Sequence, residues 1–519
     1  MIDDKIQAGK RGLKQVVFGR TMVIFFLLLL QLASLFFLFY WLEGYTVFAY
    51  SIVTVLSVVL VIHIINREIS SSFKISWLIL VLAVPVMGTL FYVFLKTQVG
   101  SRVINQKLRG MIRETAPYLK QDPDVAGRLR RDNPDVANLA RYIDLYGGYP
   151  AYQNSEVTYF PLGEDKFEEM KRQLEKAQKF IFLEYFIVKP GIMWDSVLEI
   201  LKRKAKQGVE IRFMYDGTNT LSSLPYDYPK EMIACGIQCK VFSPVRPVLT
   251  TVQNNRDHRK ILVIDGHTAF TGGINLADEY INREVRFGHW KDTAVMVRGD
   301  AVKSFTMMFL QMWNISGLAP ESYTRYLRPE ITLPEPARGY VIPYGDSPLD
   351  DERVGELVYL DIIQHAQRYL HICTPYLILD DELNTALKYA AKRGVDVKLI
   401  LPHIPDKQYA YLVARTHFPE LIRSGVKIYE YTPGFVHAKS FVSDDKVCTV
   451  GTINLDFRSL YLHFECGVFV YDNPVVDHVE EDFQETLRKC QRITLADCKE
   501  FPLIKKLVGK TLRLVAPLL

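Results

Sequence analysis

A short pattern of histidine, lysine, aspartate and asparagine occurs twice in this chain of 519 residues. In both copies the lysine follows the histidine by two positions, the aspartate follows the lysine by five, and the asparagine follows the histidine by seventeen. The members are His258, Lys260, Asp265 and Asn275 in the first copy, and His437, Lys439, Asp444 and Asn454 in the second. Such a match predicts two halves that share one local fold.

Each copy is expected to lie on a strand that ends at a turn. Residues 261–264 (ILVI) and 440–443 (SFVS) fill the gap between lysine and aspartate. Residues two apart on a strand share a face, so the histidine and lysine of each copy point the same way. A second short strand then leads to Gly272-Gly273 or Gly451-Thr452, where glycine permits tight turning. The asparagine is expected to return beside the histidine.

The doubled residues suit the chemistry of a phosphodiester. One imidazole attacks phosphorus, the other protonates the leaving oxygen, and ammonium and amide groups hold the charged oxygens. Histidine suits both roles because its ordinary pKa, near ~6.5, lets either form exist at neutral pH. Asp265 and Asp444 lie at the far end of each strand, so we expect them to anchor the turns. Asp292 and Glu465, which follow the motifs, are better placed to orient the imidazoles.

The chain also repeats itself outside these motifs. AQKFI at 177–181 corresponds to AQRYL at 366–370, and a helical pattern followed by a strand recurs at 197–216 and 382–402. Alternating helices and strands predict an α/β fold in which a sheet is flanked by helices. Two such halves are expected to pack as a pseudo-dimer, with mixed sheets and both histidine faces at one interface.

The paired motifs resemble the signature of the phospholipase D superfamily, and their flanks resemble bacterial cardiolipin synthases. The similar segments include LEYFIVKPG (183–191), HWKDTAV (289–295), GTINLDFRSL (451–460) and RLVAPLL (513–519). The resemblance extends over nearly the whole chain from about residue 45. One departure is His463, where the family is expected to have asparagine.

The resemblance implies site residues and roles. The catalytic signature would comprise His258, Lys260, Asp265, His437, Lys439 and Asp444, including the two aspartates that the spacing predicts to be structural. Asn275 and Asn454 would bind the substrate phosphate, and the first-half histidine would attack it through a phosphohistidine. No acidic metal cluster is visible in the sequence, and the seven cysteines are scattered without zinc spacing. We therefore expect no metal and no cofactor.

Three stretches near the N-terminus contain no charged residue: 21–42, 44–66 and 75–95. Each has the roughly 20 apolar residues that a membrane crossing needs, which predicts a multi-pass protein of the bacterial cell membrane. Basic clusters at 5–20 and 96–113 both favour the cytoplasmic side. Three full crossings cannot satisfy both clusters. Either one stretch is re-entrant, for which the third, interrupted by Pro85 and Gly88, is the candidate, or the catalytic part faces outward and the second basic cluster contacts lipid headgroups. Of these two arrangements we expect the catalytic part on the cytoplasmic face.

The predicted organisation has five parts. They are a membrane anchor at 1–95, a connector at 96–150, a first half at 151–330, a second half at 331–500 and a basic amphipathic segment at 501–519. The last segment either lies on anionic lipid or closes the domain.

A site held at a bilayer suits a lipid substrate rather than nucleic acid. A second lipid alcohol beside the site would compete well with water, which favours the transfer of phosphatidyl between two phosphatidylglycerol molecules to give cardiolipin and glycerol. The alternatives are a membrane phospholipase D, another phosphatidyltransferase, or a non-catalytic lipid-binding scaffold. Phosphatidylglycerol and cardiolipin are the expected partners, and association into a homo-oligomer is left open.

Overall fold

The computed structural model describes most of the chain from residue 46 onward. The described residues are 46–83, 85–96, 99–245, 255–315, 322–327, 337–350 and 352–518, with Leu29, Ala33, Phe36, Phe37 and Leu333 as isolated positions.

The first half is built on a mixed sheet. The strands that this half contributes are β1 (Ser155–Phe160), β2 (Phe180–Tyr185), β3 (Glu210–Asp216), β4 (Gln238–Phe242), β5 (Arg256–Asp257), β6 (Ile261–Ile264), β7 (Thr268–Gly272), β8 (His289–Lys291) and β9 (Ala294–Gly299). Seven of them form the sheet, in the order β1-β9-β7-β6-β2-β3-β4. The pairs β2–β3 and β3–β4 are parallel, and the other pairs are antiparallel.

The second half repeats this arrangement. Its strands are β10 (Tyr340–Asp346), β11 (Tyr369–Cys373), β12 (Asp396–Pro402), β13 (Lys427–Tyr431), β14 (Gly434–Val436), β15 (Ser440–Ser443), β16 (Val447–Gly451), β17 (His463–Tyr471) and β18 (Cys490–Ile493). The order in the sheet is β10-β17-β16-β15-β11-β12-β13-β18. Up to β13 this is the order of the first sheet strand for strand. The prediction of two α/β halves is therefore confirmed.

Helices cover these sheets. Those of the first half are α7 (Gly163–Lys176), α8 (Ile192–Lys206), α9 (Asn219–Ser222), α10 (Tyr228–Ala234) and α11 (Val302–Asn314), after α1 to α6, which are given below. Those of the second half are α12 (Val354–His365), α13 (Asp381–Lys392), α14 (Gln408–Arg423), α15 (Phe457–Tyr461), α16 (Val475–Leu487), α17 (Leu495–Glu500) and α18 (Leu503–Val515). Helix α11 is buried over most of its surface because it packs against strands of both sheets.

The segment before the first sheet is helical. It contains α4 (Val99–Thr115), α5 (Pro123–Asp132) and α6 (Pro134–Tyr142). The prolines begin α5 and α6, where a missing N–H has no cost because the first turn leaves its N–H groups free. Leu129 and Leu139 are buried in the same core as the two sheets, so these helices pack on the catalytic halves.

Of the three membrane spans predicted from the charge-free stretches, the two that fall among the described residues are not supported. Within the described part of the chain, no helix is both long enough and apolar enough to cross a membrane. The stretch 75–95 divides between α2 (Ser71–Ala83) and α3 (Pro85–Lys96). These helices fold back on each other, since a Cβ at Gly88 would come 2.3 Å from the carbonyl oxygen of Leu80.

Of the other two predicted spans, one lies mostly among the described residues and the other does not. The stretch 44–66 contains α1 (Thr46–Ile65), and its Leu60 and Ile64 are buried in an apolar cluster with Trp77 and Tyr92. The stretch 21–42 lies outside the described residues, apart from isolated positions.

Candidate active site

Each histidine motif is reached through a short strand that pairs with the opposite half. β5 runs parallel to the start of β17, and the N–H of His258 then donates to the carbonyl of Phe464 (2.9 Å). β14 runs parallel to β8, and the N–H of His437 donates to the carbonyl of Lys291 (2.7 Å). Each histidine thereby lies beside an acidic residue of the opposite half: Glu465, which follows Phe464, or Asp292, which follows Lys291.

His258 is held by a carboxylate of the second half. Its Nδ1 lies 2.9 Å from Oε1 and 3.0 Å from Oε2 of Glu465, whose side chain is fully buried. The same carboxylate accepts a hydrogen bond from the hydroxyl of Thr452. The ring of Phe186 meets the imidazole edge-on, with centroids 4.8 Å apart. Because the carboxylate engages Nδ1, Nε2 is the atom left for chemistry.

His437 is held in the same way by a carboxylate of the first half. Its Nδ1 lies 2.6 Å from Oδ2 of Asp292, which is also fully buried. The other oxygen of Asp292 accepts from the N–H of Thr293 (2.8 Å). The rings of Trp290 and Tyr280 pack beside the imidazole at centroid distances of 5.5 and 5.6 Å. Thus the two acids singled out in the sequence each meet the histidine of the other half.

The two acids that hold the histidines differ in length, and the residues that they contact differ as well. A Cβ at Gly273 would come 2.0 Å from Oδ1 of Asp292, so only glycine leaves room for this short acid. The corresponding residue of the second half is Thr452, which has a side chain and donates to the longer Glu465. The change from Gly-Gly to Gly-Thr between the motifs therefore accompanies the change from aspartate to glutamate.

The motif lysines are buried beside the histidines. The Nζ of Lys260 donates to the carbonyl of His258 (2.5 Å), and the Nζ of Lys439 donates to the carbonyl of His437. Burial lowers the pKa of Lys260 to about 8 and that of Lys439 to about 7. Arg259 leaves the backbone on the opposite face and pairs with Glu184 (2.7 Å), as alternation along an extended chain requires.

Both imidazoles resist protonation in this site. Burial, followed by the charges of Lys260 and Lys439, lowers the pKa of His258 well below its ordinary value of 6.5. Burial and then Lys439 lower the pKa of His437 to about 4, against the raising effect of Asp292. The cationic lysines therefore favour a neutral imidazole until an anion enters.

The motif asparagines make matching contacts. Asn275 donates from Nδ2 to the hydroxyl of Tyr280 (2.7 Å) and accepts from the N–H of Ile187 (2.9 Å). Asn454 donates from Nδ2 to the hydroxyl of Ser459 (3.0 Å), while its Oδ1 is buried with no hydrogen-bond partner among the described residues. Tyr280 and Ser459 each follow their asparagine by five positions, a second matched spacing that could have identified both from the sequence.

The motif aspartates lie at the far end of the strands, where they hold the turns. Asp265 accepts from the backbone N–H groups of residues 178, 179 and 180 at 2.7, 2.7 and 2.8 Å. Asp444 accepts from those of residues 367, 368 and 369 at 2.7, 2.8 and 3.0 Å. Both have a left-handed backbone (φ 52° and 57°), which a tight turn between antiparallel strands requires. Their hydrogen bonds thus hold each turn to the backbone at the start of a neighbouring strand, and they do not involve the histidines.

The atypical His463 lies at the edge of the site. Its ring is 5.5 Å from that of His258, and its Nε2 accepts from the Nε of Arg458 (3.3 Å). Its Nδ1 is 3.7 Å from Oε1 of Glu465, beyond hydrogen-bond length, and burial lowers its pKa to about 3.

Two groups of side chains in the described residues have ligand atoms within 4.8 Å of one another, close enough to share a metal ion. They are His258, His463 and Glu465, and Glu356, Asp380 and Glu382.

The fold of two matched halves, with one paired His–Lys site between them, defines a phospholipase D-like protein. A family model described as "Cardiolipin synthase, PLD-like domain" matches residues 170–313 and 359–487, and one described as "Phospholipase_D-nuclease N-terminal" matches 55–96. The chain therefore belongs to the cardiolipin synthase family of the phospholipase D superfamily, and it is an enzyme of the phosphatidyltransferase type.

Individual relatives match most of the chain. A cardiolipin synthase of Geobacillus kaustophilus is 34% identical over 90% of this chain and 92% of its own length. An uncharacterized protein of Streptococcus mutans is 50% identical over 88% of this chain and 99% of its own. The phosphatidylserine synthase of Haemophilus influenzae superposes with a TM-score of 0.58 over 74% of this chain and 100% of that chain; at 14% identity it shows a shared fold.

Proposed function

We propose that the protein is a cardiolipin synthase that transfers a phosphatidyl group between two phosphatidylglycerol molecules, giving cardiolipin and glycerol. One observation carries the proposal: two buried imidazoles, each fixed at Nδ1 by an acid of the opposite half, stand beside two buried lysines. The cardiolipin synthases among the relatives support the choice of lipid.

In the first step, Nε2 of His258 attacks the phosphorus of phosphatidylglycerol. A nitrogen–phosphorus bond forms, and the bond from phosphorus to the glycerol headgroup breaks. Nε2 of His437 gives its proton to the departing glycerol oxygen. Because the entering phosphodiester adds negative charge beside His437, it favours the protonated imidazole that this step needs.

In the second step, the terminal hydroxyl of a second phosphatidylglycerol takes the place of the departed glycerol. His437, now neutral, removes the proton of this hydroxyl while the hydroxyl oxygen attacks the phosphorus. The new phosphorus–oxygen bond completes cardiolipin, and the nitrogen–phosphorus bond breaks to restore His258. The single proton taken and returned by His437 balances the cycle.

The surroundings of the histidines support this division of roles. Asp292 gives His437 the shorter bond, 2.6 Å, and so stabilises an imidazolium. Glu465 divides its charge between His258 and the Thr452 hydroxyl, which leaves His258 the better neutral nucleophile.

The lysines and asparagines would hold the phosphate. Lys260 and Lys439 offset the charge that develops on the phosphorus oxygens. Rotation of the Asn454 amide about its last bond would exchange Oδ1 and Nδ2 and present a donor where an unpartnered acceptor now lies. The proposed steps need neither metal nor cofactor. The N-terminal family match at 55–96 supports an enzyme that works at a membrane.

The test is lipid analysis of a bacterial host that lacks cardiolipin, after expression of the full chain. Cardiolipin should appear with the wild type and not with His258→Ala or His437→Ala, although both variants should accumulate as folded protein. Purified enzyme should convert phosphatidylglycerol in excess chelator. Phosphatidic acid alone would instead indicate a phospholipase D, and cardiolipin from either histidine variant would contradict the mechanism.

A further inference from the structure

The C-terminal helix α18 shows the reverse of the usual amphipathic arrangement. A surface helix normally turns its apolar stripe towards the core. Here the side that packs inward carries Gly509, where a Cβ would come 2.5 Å from the carbonyl oxygen of Leu412 in α14. The opposite side carries Leu503, Ile504 and Leu507, which are 80%, 78% and 66% exposed. The apolar stripe therefore faces away from the protein.

This outward stripe has a basic border. At 100° per residue, Lys506 and Lys510 fall along one flank of the stripe and Lys505 falls along the other, whereas Arg513 lies nearer the inward side and pairs with Glu420 of α14 (3.5 Å). Residues 501–519 contain four basic residues and no acidic residue. An apolar face between cationic flanks matches a lipid surface with anionic headgroups, because the side chains enter the acyl boundary while the charges meet the phosphates.

Helix α18 is also fixed close to the catalytic site. The hydroxyl of Ser76 in α2 donates to the carbonyl of Leu514 (2.7 Å). Ala516, directly after the helix, lines a cavity together with Tyr376, Lys407, Phe457 and Arg458. Arg458 also contacts His463, whose ring lies 5.5 Å from that of His258, so one residue that lines this cavity also touches the edge of the site.

We propose that α18 lies flat on an anionic bilayer, with Leu503, Ile504 and Leu507 inserted below the phosphates. In this position the cavity at Ala516 opens next to the lipid from which substrate must come. The choice of an anionic lipid rests on the proposed function, but the insertion itself does not need turnover.

The test measures the depth of a fluorescent label on the purified full chain. Cys235, Cys239 and Cys490, the partly exposed native thiols, are first replaced by serine. A polarity-sensitive label is attached at Ile504→Cys, and at Tyr389→Cys as the matched control, because Tyr389 is 62% exposed on α13. Vesicles of phosphatidylcholine, with or without phosphatidylglycerol, carry a lipid-borne quencher.

The label at 504 should shift to the blue and be quenched on phosphatidylglycerol vesicles, whereas the label at 389 should do neither. Lys505→Gln and Lys510→Gln should each weaken vesicle binding about fivefold. The same signal in a His258→Ala background separates insertion from catalysis. An unquenched label at 504 would overturn the proposal. Shielding without lipid that increases with protein concentration would overturn it too, in favour of a second copy on this face.

Discussion

The two halves of the catalytic part share one sheet order but hold their histidines differently. In the first half a glycine clears the space for Asp292, which reaches across to His437 at 2.6 Å. In the second half Thr452 occupies that space, and the longer Glu465 forms hydrogen bonds with both the threonine and His258. A repeated fold thus holds two imidazoles in different surroundings through a change of one methylene in the acid and one side chain beside it, and the proposed mechanism gives these imidazoles opposite roles.

The largest effects should follow removal of the charge on the two acids. Asp292→Asn should lower kcat by about 10³-fold, because it removes the negative charge that stabilises the proposed imidazolium of His437. Glu465→Gln should lower kcat by about 10²-fold, since a neutral His258 needs orientation more than charge. Steady-state kinetics on phosphatidylglycerol measure both, with circular dichroism as the folding control. Equal losses would show that the acids do not distinguish the histidines.

A smaller loss is expected from the residues beneath the acids. Gly273→Ala places a Cβ 2.0 Å from Oδ1 of Asp292, so it should displace this acid and lower kcat by about tenfold to a hundredfold. The matched change Thr452→Ala removes a hydroxyl and creates no clash, and it should cost no more than about fivefold. If both variants keep full activity, the fit of each acid to its neighbour is unimportant.

The pH dependence should distinguish the lysines. In the proposed mechanism each lysine acts as an ammonium ion, so its contribution is present below its pKa and is lost above it. With pKa values of about 7 for Lys439 and about 8 for Lys260, kcat/KM should begin to fall near pH 7. Lys439→Arg keeps its charge throughout and should move this decline to about pH 8. An unchanged profile would exclude Lys439 as the group that titrates first.

The smallest effects on turnover should come from the motif aspartates. Asp265→Ala leaves three backbone N–H groups without an acceptor, one of them in a buried bond, and should lower the free energy of unfolding by about 3 kcal/mol. Asp444→Ala should cost about 1 kcal/mol, because its three bonds are more exposed. Denaturant unfolding gives these values, and the activity of the folded fraction should change little. A selective loss of kcat would instead make the aspartates catalytic.

The local part of this fold follows from the sequence. Residues 261–264 and 440–443 are strands as predicted, and each is joined by a turn at the motif aspartate to the strand that ends in Gly272 or Gly451. Spacing was sufficient here because the contacts are between neighbours along the chain. The repeat likewise indicated two α/β halves.

The contacts between the halves could not be predicted. β5 and β14 are two and three residues long and have no pattern of their own, yet they decide which acid meets which histidine. The need for glycine at 273 depends on Asp292, a residue from a different strand. Near the N-terminus, absence of charge predicted membrane spans; among the described residues no helix is long and apolar enough for one, and Trp77 of α2 and Tyr92 of α3 lie in one apolar cluster.

The division of roles between the halves is tested most directly with a donor that needs no acid. Phosphatidyl-p-nitrophenol releases a stable anion, so its first step requires the nucleophile but not the proton of His437. In rapid-mixing experiments His437→Ala should release one equivalent of p-nitrophenolate per site and then stall, with the phosphatidyl group bound to His258. His258→Ala should release none. A burst from His258→Ala, or none from His437→Ala, would contradict the assignment of nucleophile and acid.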